Sequence, residues 1–121
     1  MLSTSALTFA YPNGTSFEFP DLNVEQNEGL LVLGNSGKGK TTLLHLLAGL
    51  MDPTGGTIEL DGTALATLKG SARDRFRGKN IGLVFQQSQF IRSIGVLENL
   101  RLARSLAGLS KDDAFAERLL S

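Results

Sequence analysis

Eight consecutive residues, Gly34-Asn35-Ser36-Gly37-Lys38-Gly39-Lys40-Thr41, constrain this chain more tightly than any other part of it. A continuous apolar run, Leu30-Leu31-Val32-Leu33, comes directly before them. Such a run reads as a strand buried on both faces. Residues 41–50 follow with helical spacing and are apolar on nearly all sides, which predicts a buried helix. Strand, glycine-rich loop and helix in that order, with two fixed glycines, a lysine and a hydroxyl residue, make the phosphate-loop pattern. Each position has a physical task. The glycines let consecutive backbone N–H groups point inward at phosphate oxygens. Lys40 is placed to reach the β- and γ-phosphates and the Thr41 hydroxyl to ligate Mg2+, and the helix adds the positive end of its dipole. With this chain's own composition, the pattern arises by chance about once in a hundred such sequences. Two rival uses of the same glycines fail. A dinucleotide-binding Gly-x-Gly-x-x-Gly beginning at Gly37 needs Gly or Ala where Thr42 stands. A kinase-type glycine loop fails at the same residue, and no His-Arg-Asp or Asp-Phe-Gly follows.

The rest of the composition narrows the setting. A length of 121 residues allows one small domain. No cysteine is present, which excludes a disulfide scaffold, a cysteine zinc site and a thiol nucleophile. His45 is the only histidine, so neither a His-rich metal site nor a Ser-His triad is expected; it reads as a packed core residue inside its helix. No apolar run reaches the length of a membrane span, and the N-terminus lacks the pattern of a secretory signal. The expectation is a soluble, intracellular α/β-type chain. Net charge is zero but unevenly distributed. Residues 1–68 hold two bases, Lys38 and Lys40, against seven acids, whereas residues 69–121 hold ten bases and five acids. Both cations of the acidic half therefore lie in the glycine loop, where a local positive field suits an anion.

Along the chain, residues 3–9 alternate as a strand with Leu7 and Phe9 on one face. Tyr11-Pro12-Asn13-Gly14 forms a turn, and Phe17-Glu18-Phe19 makes a second strand, so a hairpin is expected. Asn27-Glu28-Gly29 is a further turn. Residues 57–60 form a short strand closed by Asp61-Gly62, and residues 81–85 form another, ending at Gln86-Gln87-Ser88-Gln89. Residues 63–79 show no clear period and carry a basic cluster of Arg73, Arg75, Arg77 and Lys79. With no interleaved aromatic beyond Phe76, that cluster reads as a solvated face and not a nucleic-acid site. Residues 96–107 have helical spacing, and Ser110-Lys111-Asp112-Asp113 carries the cap and first-turn acids of a last helix.

Taken together, the segment 34–44, Leu47-Ala48-Gly49-Leu50, Pro53-Thr54-Gly55-Gly56-Thr57-Ile58 and Asp61-Gly62 resembles the ATP-binding subunit of ABC transporters. Ile81-Gly82-Leu83-Val84-Phe85-Gln86-Gln87 is similar to that family's Q-loop, and Val96-Leu97-Glu98-Asn99-Leu100 resembles the stretch after it. The likeness runs from about residue 4 to the end. It implies an α/β P-loop NTPase fold of the ABC ATPase type with an N-terminal antiparallel β-subdomain. The implied layout places a β-subdomain and P-loop strand at 1–33, the P-loop and its helix at 34–50, strands leading to the Q-loop at 51–90, and the start of a helical subdomain at 91–121.

The resemblance also implies roles. Tyr11 stands where the family has an aromatic that stacks on adenine. Gly34, Asn35, Ser36, Gly37, Lys38, Gly39, Lys40, Thr41 and Thr42 would cradle ATP, with Thr41 and Gln86 on Mg2+. Lys40 and Gln86 would act in catalysis, Gln86 also linking to an integral membrane permease. A homodimer of ATPase subunits, peripheral on the inner face of the cell membrane, is the implied assembly, with no nucleic acid. Lys38 departs from the small residue usual at its position, and it either adds phosphate affinity or points to solvent. A Leu-Ser-Gly-Gly-Gln-type signature, an apolar Walker B strand ending in Asp-Glu and a switch histidine do not occur. The chain is thus expected to span about the first half of such a domain, truncated before the signature motif, and to end within a helix. Without that glutamate no general base activates water, so a non-catalytic nucleotide-binding fragment is the alternative, and another P-loop NTPase such as a DNA-repair ATPase is a third reading. The insert with Leu65, Leu68 and its arginines looks like the lipoprotein-release, macrolide-export and cell-division branch.

Overall fold

A computed structural model describes residues 1–34, 39–84, 91–106, 108 and 112–120. They fall into two compact units, Met1–Lys69 and Gly70–Ser121.

The first unit is built on an antiparallel sheet. Its strands are β1 (Leu2–Ala10), β2 (Ser16–Glu18), β3 (Asn23–Val24), β4 (Gly55–Leu60) and β5 (Thr63–Ala64). Their order is β2-β1-β4-β5, with β3 also pairing β1. The expected hairpin forms. The Gly14 N–H donates to the Tyr11 carbonyl at 3.0 Å, and Tyr11 N–H to the Thr15 carbonyl at 2.8 Å. The expected strand at 57–60 is the core of β4, and Asp61-Gly62 turns it into β5.

β1 is not a regular strand. Ser5 pairs with Thr57 and Thr8 with Gly55, so Ala6 and Leu7 together oppose the single Gly56. This is a β-bulge, and it places Ala6 at φ 50°. The Ala6 N–H released from the ladder donates to the Asp21 carboxylate at 2.8 Å. Opposite it, Gly56 has φ +83°, and a Cβ there would lie 2.4 Å from the Ala6 carbonyl oxygen. Both sterics and backbone conformation therefore restrict that position to glycine. Across the bulge, Thr4 and Leu7 are both buried. The Thr4 hydroxyl accepts from Leu22 N–H at 3.0 Å, so the buried polar group is satisfied.

Helix α1 (Lys40–Leu47) supplies the other half of the core. Leu43 and Leu46 are buried with Thr42, alongside Leu7, Ala48, Ile58 and Leu65. The sequence reading made this helix buried on nearly all sides, but Leu44 is 49% exposed. His45 is half-buried and not a core residue. The helix is also shorter than expected, since Gly49 at φ 73° cannot continue it.

Two expected strands are not formed. Residues 30–33 have no ladder partners among the described residues, and Leu31 and Leu33 are 79% and 82% exposed. Residues 81–84 are likewise outside any strand, with Val84 96% exposed, and Phe85 lies outside the described residues. The cause is common to both. A strand apolar on both faces is stable only between hydrogen-bonded neighbours, and the described residues place no strand beside either segment.

The second unit holds α2 (Gly70–Asn80), α3 (Val96–Leu106) and α4 (Asp113–Leu120). α2 replaces the aperiodic stretch of the sequence reading. No residue in it is buried, and it is laced by local contacts: Arg77 with Asp74 at 3.1 Å, and the Asn80 amide to the Phe76 carbonyl at 2.9 Å. At the start of α3, the Asn99 side chain accepts from Ile91 N–H at 2.8 Å and donates to the carbonyls of Ile91 and Gly95 at 3.0 and 2.9 Å. Arg101 and Asp113 join α3 to α4 through two parallel hydrogen bonds of 2.8 Å. That pairing raises the Arg101 guanidinium further above its already high ordinary value. Asp112, one of the expected cap residues, accepts from Phe115 N–H at 2.9 Å and closes the helix start. Ser110 lies outside the described residues.

Candidate functional site

The site is organised by the first turn of α1. Gly39, at its N-cap, has φ 82° and caps no amide with a side chain. The first turn contains no acidic residue. The positive end of the helix is therefore neither capped nor neutralised by its own residues, which is the arrangement an anion requires. Gly39 is also sterically defined, because a Cβ there would meet Phe17 Cδ1 at 2.8 Å. Phe17 belongs to β2, so an aromatic ring of the hairpin is seated directly against the glycine that opens the helix.

The Lys40 ammonium donates to the carbonyl oxygen of Gly34. The cation is thus held beside the backbone of Gly34. Thr41 is exposed, and Thr42 is buried. The Thr42 hydroxyl is shared with the Tyr11 hydroxyl at 2.6 Å, across 31 positions of sequence. The Tyr11 ring is itself packed: Phe9 meets it at 4.7 Å and 80°, and Phe17 at 6.3 Å and 85°. Phe17 in turn stacks on Phe19 at 6.1 Å.

Of the residues expected from sequence, Tyr11, Gly34, Gly39, Lys40, Thr41 and Thr42 are described, and they form two connected pairs, Lys40 with Gly34 and Tyr11 with Thr42. Asn35, Ser36, Gly37, Lys38 and Gln86 lie outside the described residues. Phe17 was missed by the sequence reading. Its alternation with Phe19 was the available signal, but nothing local tied it to Gly39. A cavity of about 320 Å³ lies between residues 30–33 and the start of α1, lined by Phe19, Leu22, Leu30 and Leu43 together with Gly39 and Lys40 of the candidate site. Its wall is mostly apolar, with Glu18 and Lys40 as its charged side chains. No group of three or more His, Cys, Asp or Glu among the described residues is arranged to hold a metal ion.

Residues 18–121 match the ABC transporter family. The chain belongs to that family. Over 114 residues it is 34% identical to the lipoprotein-releasing system ATP-binding protein LolD of Bacteroides thetaiotaomicron, covering 94% of this chain and 52% of the relative. It is 38% identical over 109 residues to the methionine import ATP-binding protein MetN 2 of Lactiplantibacillus plantarum, covering 88% of this chain and 32% of the relative. Among solved structures, a dimeric ATP-binding cassette in a post-hydrolysis state bound to ADP and Pi matches with a TM-score of 0.84 and 28% identity. That match covers 99% of this chain and 54% of the solved one. The chain thus spans about half the length of the lipoprotein-releasing relatives it matches. The ABC cassette likeness accounts for the antiparallel sheet beside a P-loop helix, and the expected fold class is the observed one.

Proposed function

We propose that this chain binds the triphosphate of ATP at the start of α1, as the nucleotide-binding portion of an ABC transporter. The observation that carries the reading is the uncapped, acid-free N-terminus of α1 with the Lys40 ammonium folded back over Gly34. In this role Lys40 exchanges a neutral carbonyl acceptor for charged phosphate oxygens, so that both partners of the bond are ionised. Backbone N–H groups of the loop and first helical turn complete the anion site. The exposed Thr41 hydroxyl would hold Mg2+ together with Gln86, and the ion supplies charge neutralisation at the phosphate oxygens. Tyr11 gives the base an aromatic platform: its two ring neighbours are nearly perpendicular to it, so neither is stacked in parallel on it. Relatives named as ATP-binding proteins, and a related cassette bound to ADP and Pi, support the assignment.

In a cassette of the relatives' full length such a site would hydrolyse ATP within a dimer of ATPase subunits and drive a membrane permease through the region of Gln86. Such a subunit sits on the inner face of the cell membrane, held by its permease. No helix among the described residues is long and apolar enough to cross a membrane. The 121 residues alone bind nucleotide without turnover, because no Asp-Glu pair is present to provide the general base. Lipoprotein-release and methionine-import relatives match at comparable identity, so the proposal extends to the nucleotide and not to the cargo.

The test is ATP binding in the presence of Mg2+ by this chain beside Lys40→Ala. Loss of a charged hydrogen bond of about 1.5–3 kcal/mol predicts roughly 10- to 100-fold weaker binding. Equal binding by the two proteins would overturn the assignment.

A further inference from the structure

The Tyr11–Thr42 hydrogen bond ties the hairpin to the first turn of α1. Tyr11 lies one residue beyond β1, and its backbone is fixed on both sides by the turn, through Tyr11 N–H to Thr15 and Gly14 N–H to Tyr11. What remains free in such a residue is the rotation of its side chain. Two contacts remove that freedom. Phe9 and Phe17 contact the ring in T-shaped pairs, and the hydroxyl is held at 2.6 Å by Thr42. Thr42 is 5% exposed and stands two residues after Lys40 in the same helical turn. Phe17, the ring's other neighbour, rests against Gly39 at the head of that turn. The hairpin is therefore attached to the phosphate end of the site twice, once through a hydroxyl pair and once through an aromatic ring.

We propose that the Tyr11 hydroxyl is a positioning group: through Thr42 it fixes the aromatic ring relative to the first turn of α1, so that the base and the phosphates of one nucleotide are recognised together. This rests on the nucleotide-binding reading above. A ligand with a base gains from a ring already held in place, because ordering it on binding would cost affinity. A ligand without a base gains nothing from the ring. The hydroxyl should thus govern discrimination between a nucleoside triphosphate and bare triphosphate.

The experiment measures binding of ATP and of inorganic triphosphate to the full 121-residue chain, each with Mg2+. The variants are Tyr11→Phe, Thr42→Val, Thr42→Ser and the Tyr11→Phe/Thr42→Val double. Tyr11→Phe keeps the ring and removes one neutral hydrogen bond, so the ratio of ATP to triphosphate affinity should fall about fivefold. In the Thr42→Val background the same change should lower the ratio no further, since the partner is already gone. Thr42→Ser should retain the wild-type ratio. A ratio unmoved by Tyr11→Phe would overturn the inference and leave the ring as the sole determinant. Equal weakening towards both probes would overturn it in favour of a purely structural bond. If the wild-type chain shows no Lys40-dependent binding of either probe, the nucleotide reading fails, and this inference falls with it.

Discussion

The pairing of β1 with β4 and the run at residues 30–33 make an instructive pair, because apolar residues mark both and only one becomes a sheet. β1 is paired on both sides, with β2 and β3 along one edge and β4 along the other. Its buried residues, Thr4 and Leu7, face a single side, and an exposed side remains compatible with water. Residues 30–33 are apolar at every position and have no described strand beside them. Hydrophobicity alone therefore did not make a strand. Ladder partners did, and β1 draws its partners from within the described residues whereas residues 30–33 do not.

Three substitutions would break or sharpen that contrast. The largest effect is expected from Gly56→Val. It adds left-handed strain of roughly 1–2 kcal/mol to overpacking of roughly 1–3 kcal/mol where the β1 backbone already fills the space. The urea midpoint should collapse, and amide protection along β1 and β4 should be lost together. Leu46→Ala comes next. Leu46 is fully buried, so truncation should remove about 3 kcal/mol of stability in the same titration. Smallest is Leu33→Ala, chemically the same change at a residue 82% exposed. It should stay within about 0.5 kcal/mol. A cost for Leu33→Ala close to that of Leu46→Ala would show that residues 30–33 are packed after all, and the contrast would fail.

The sequence was most legible where structure is local. The Tyr11–Gly14 turn, the close of β4 at Asp61-Gly62 and the start of α1 each depend on a few adjacent residues with restricted backbone conformations, and each is present, whereas the second strand of the Asp61-Gly62 hairpin, β5, was not expected. α2 was missed for the converse reason. Gly70–Asn80 has one large apolar residue, Phe76, so it leaves no apolar stripe to detect, although side-chain pairs three and four residues apart support it. In the candidate site, the sequence singles out Lys40, Thr41 and the flanking glycines because their spacing matches the phosphate-loop pattern. The Tyr11–Thr42 bond was not, since it joins a hairpin to a helix across 31 residues and neither partner has a local pattern that names the other.

The bulge at Ala6 bears on all of this, because it alters which residues count as odd or even along β1. In an unbroken strand, Thr4 would share its side with residues 6, 8 and 10. The extra residue transfers that side to Leu7, Phe9 and, just past the strand, Tyr11. The hairpin thus works like a shifted reading frame in three dimensions: one residue inserted near position 6 brings the aromatic at position 11 round to the helix that carries Thr42. Insertions or deletions of a single residue between Ser5 and Leu7 would therefore be felt far from where they occur, at the contact of Tyr11 with Thr42 in the first turn of α1.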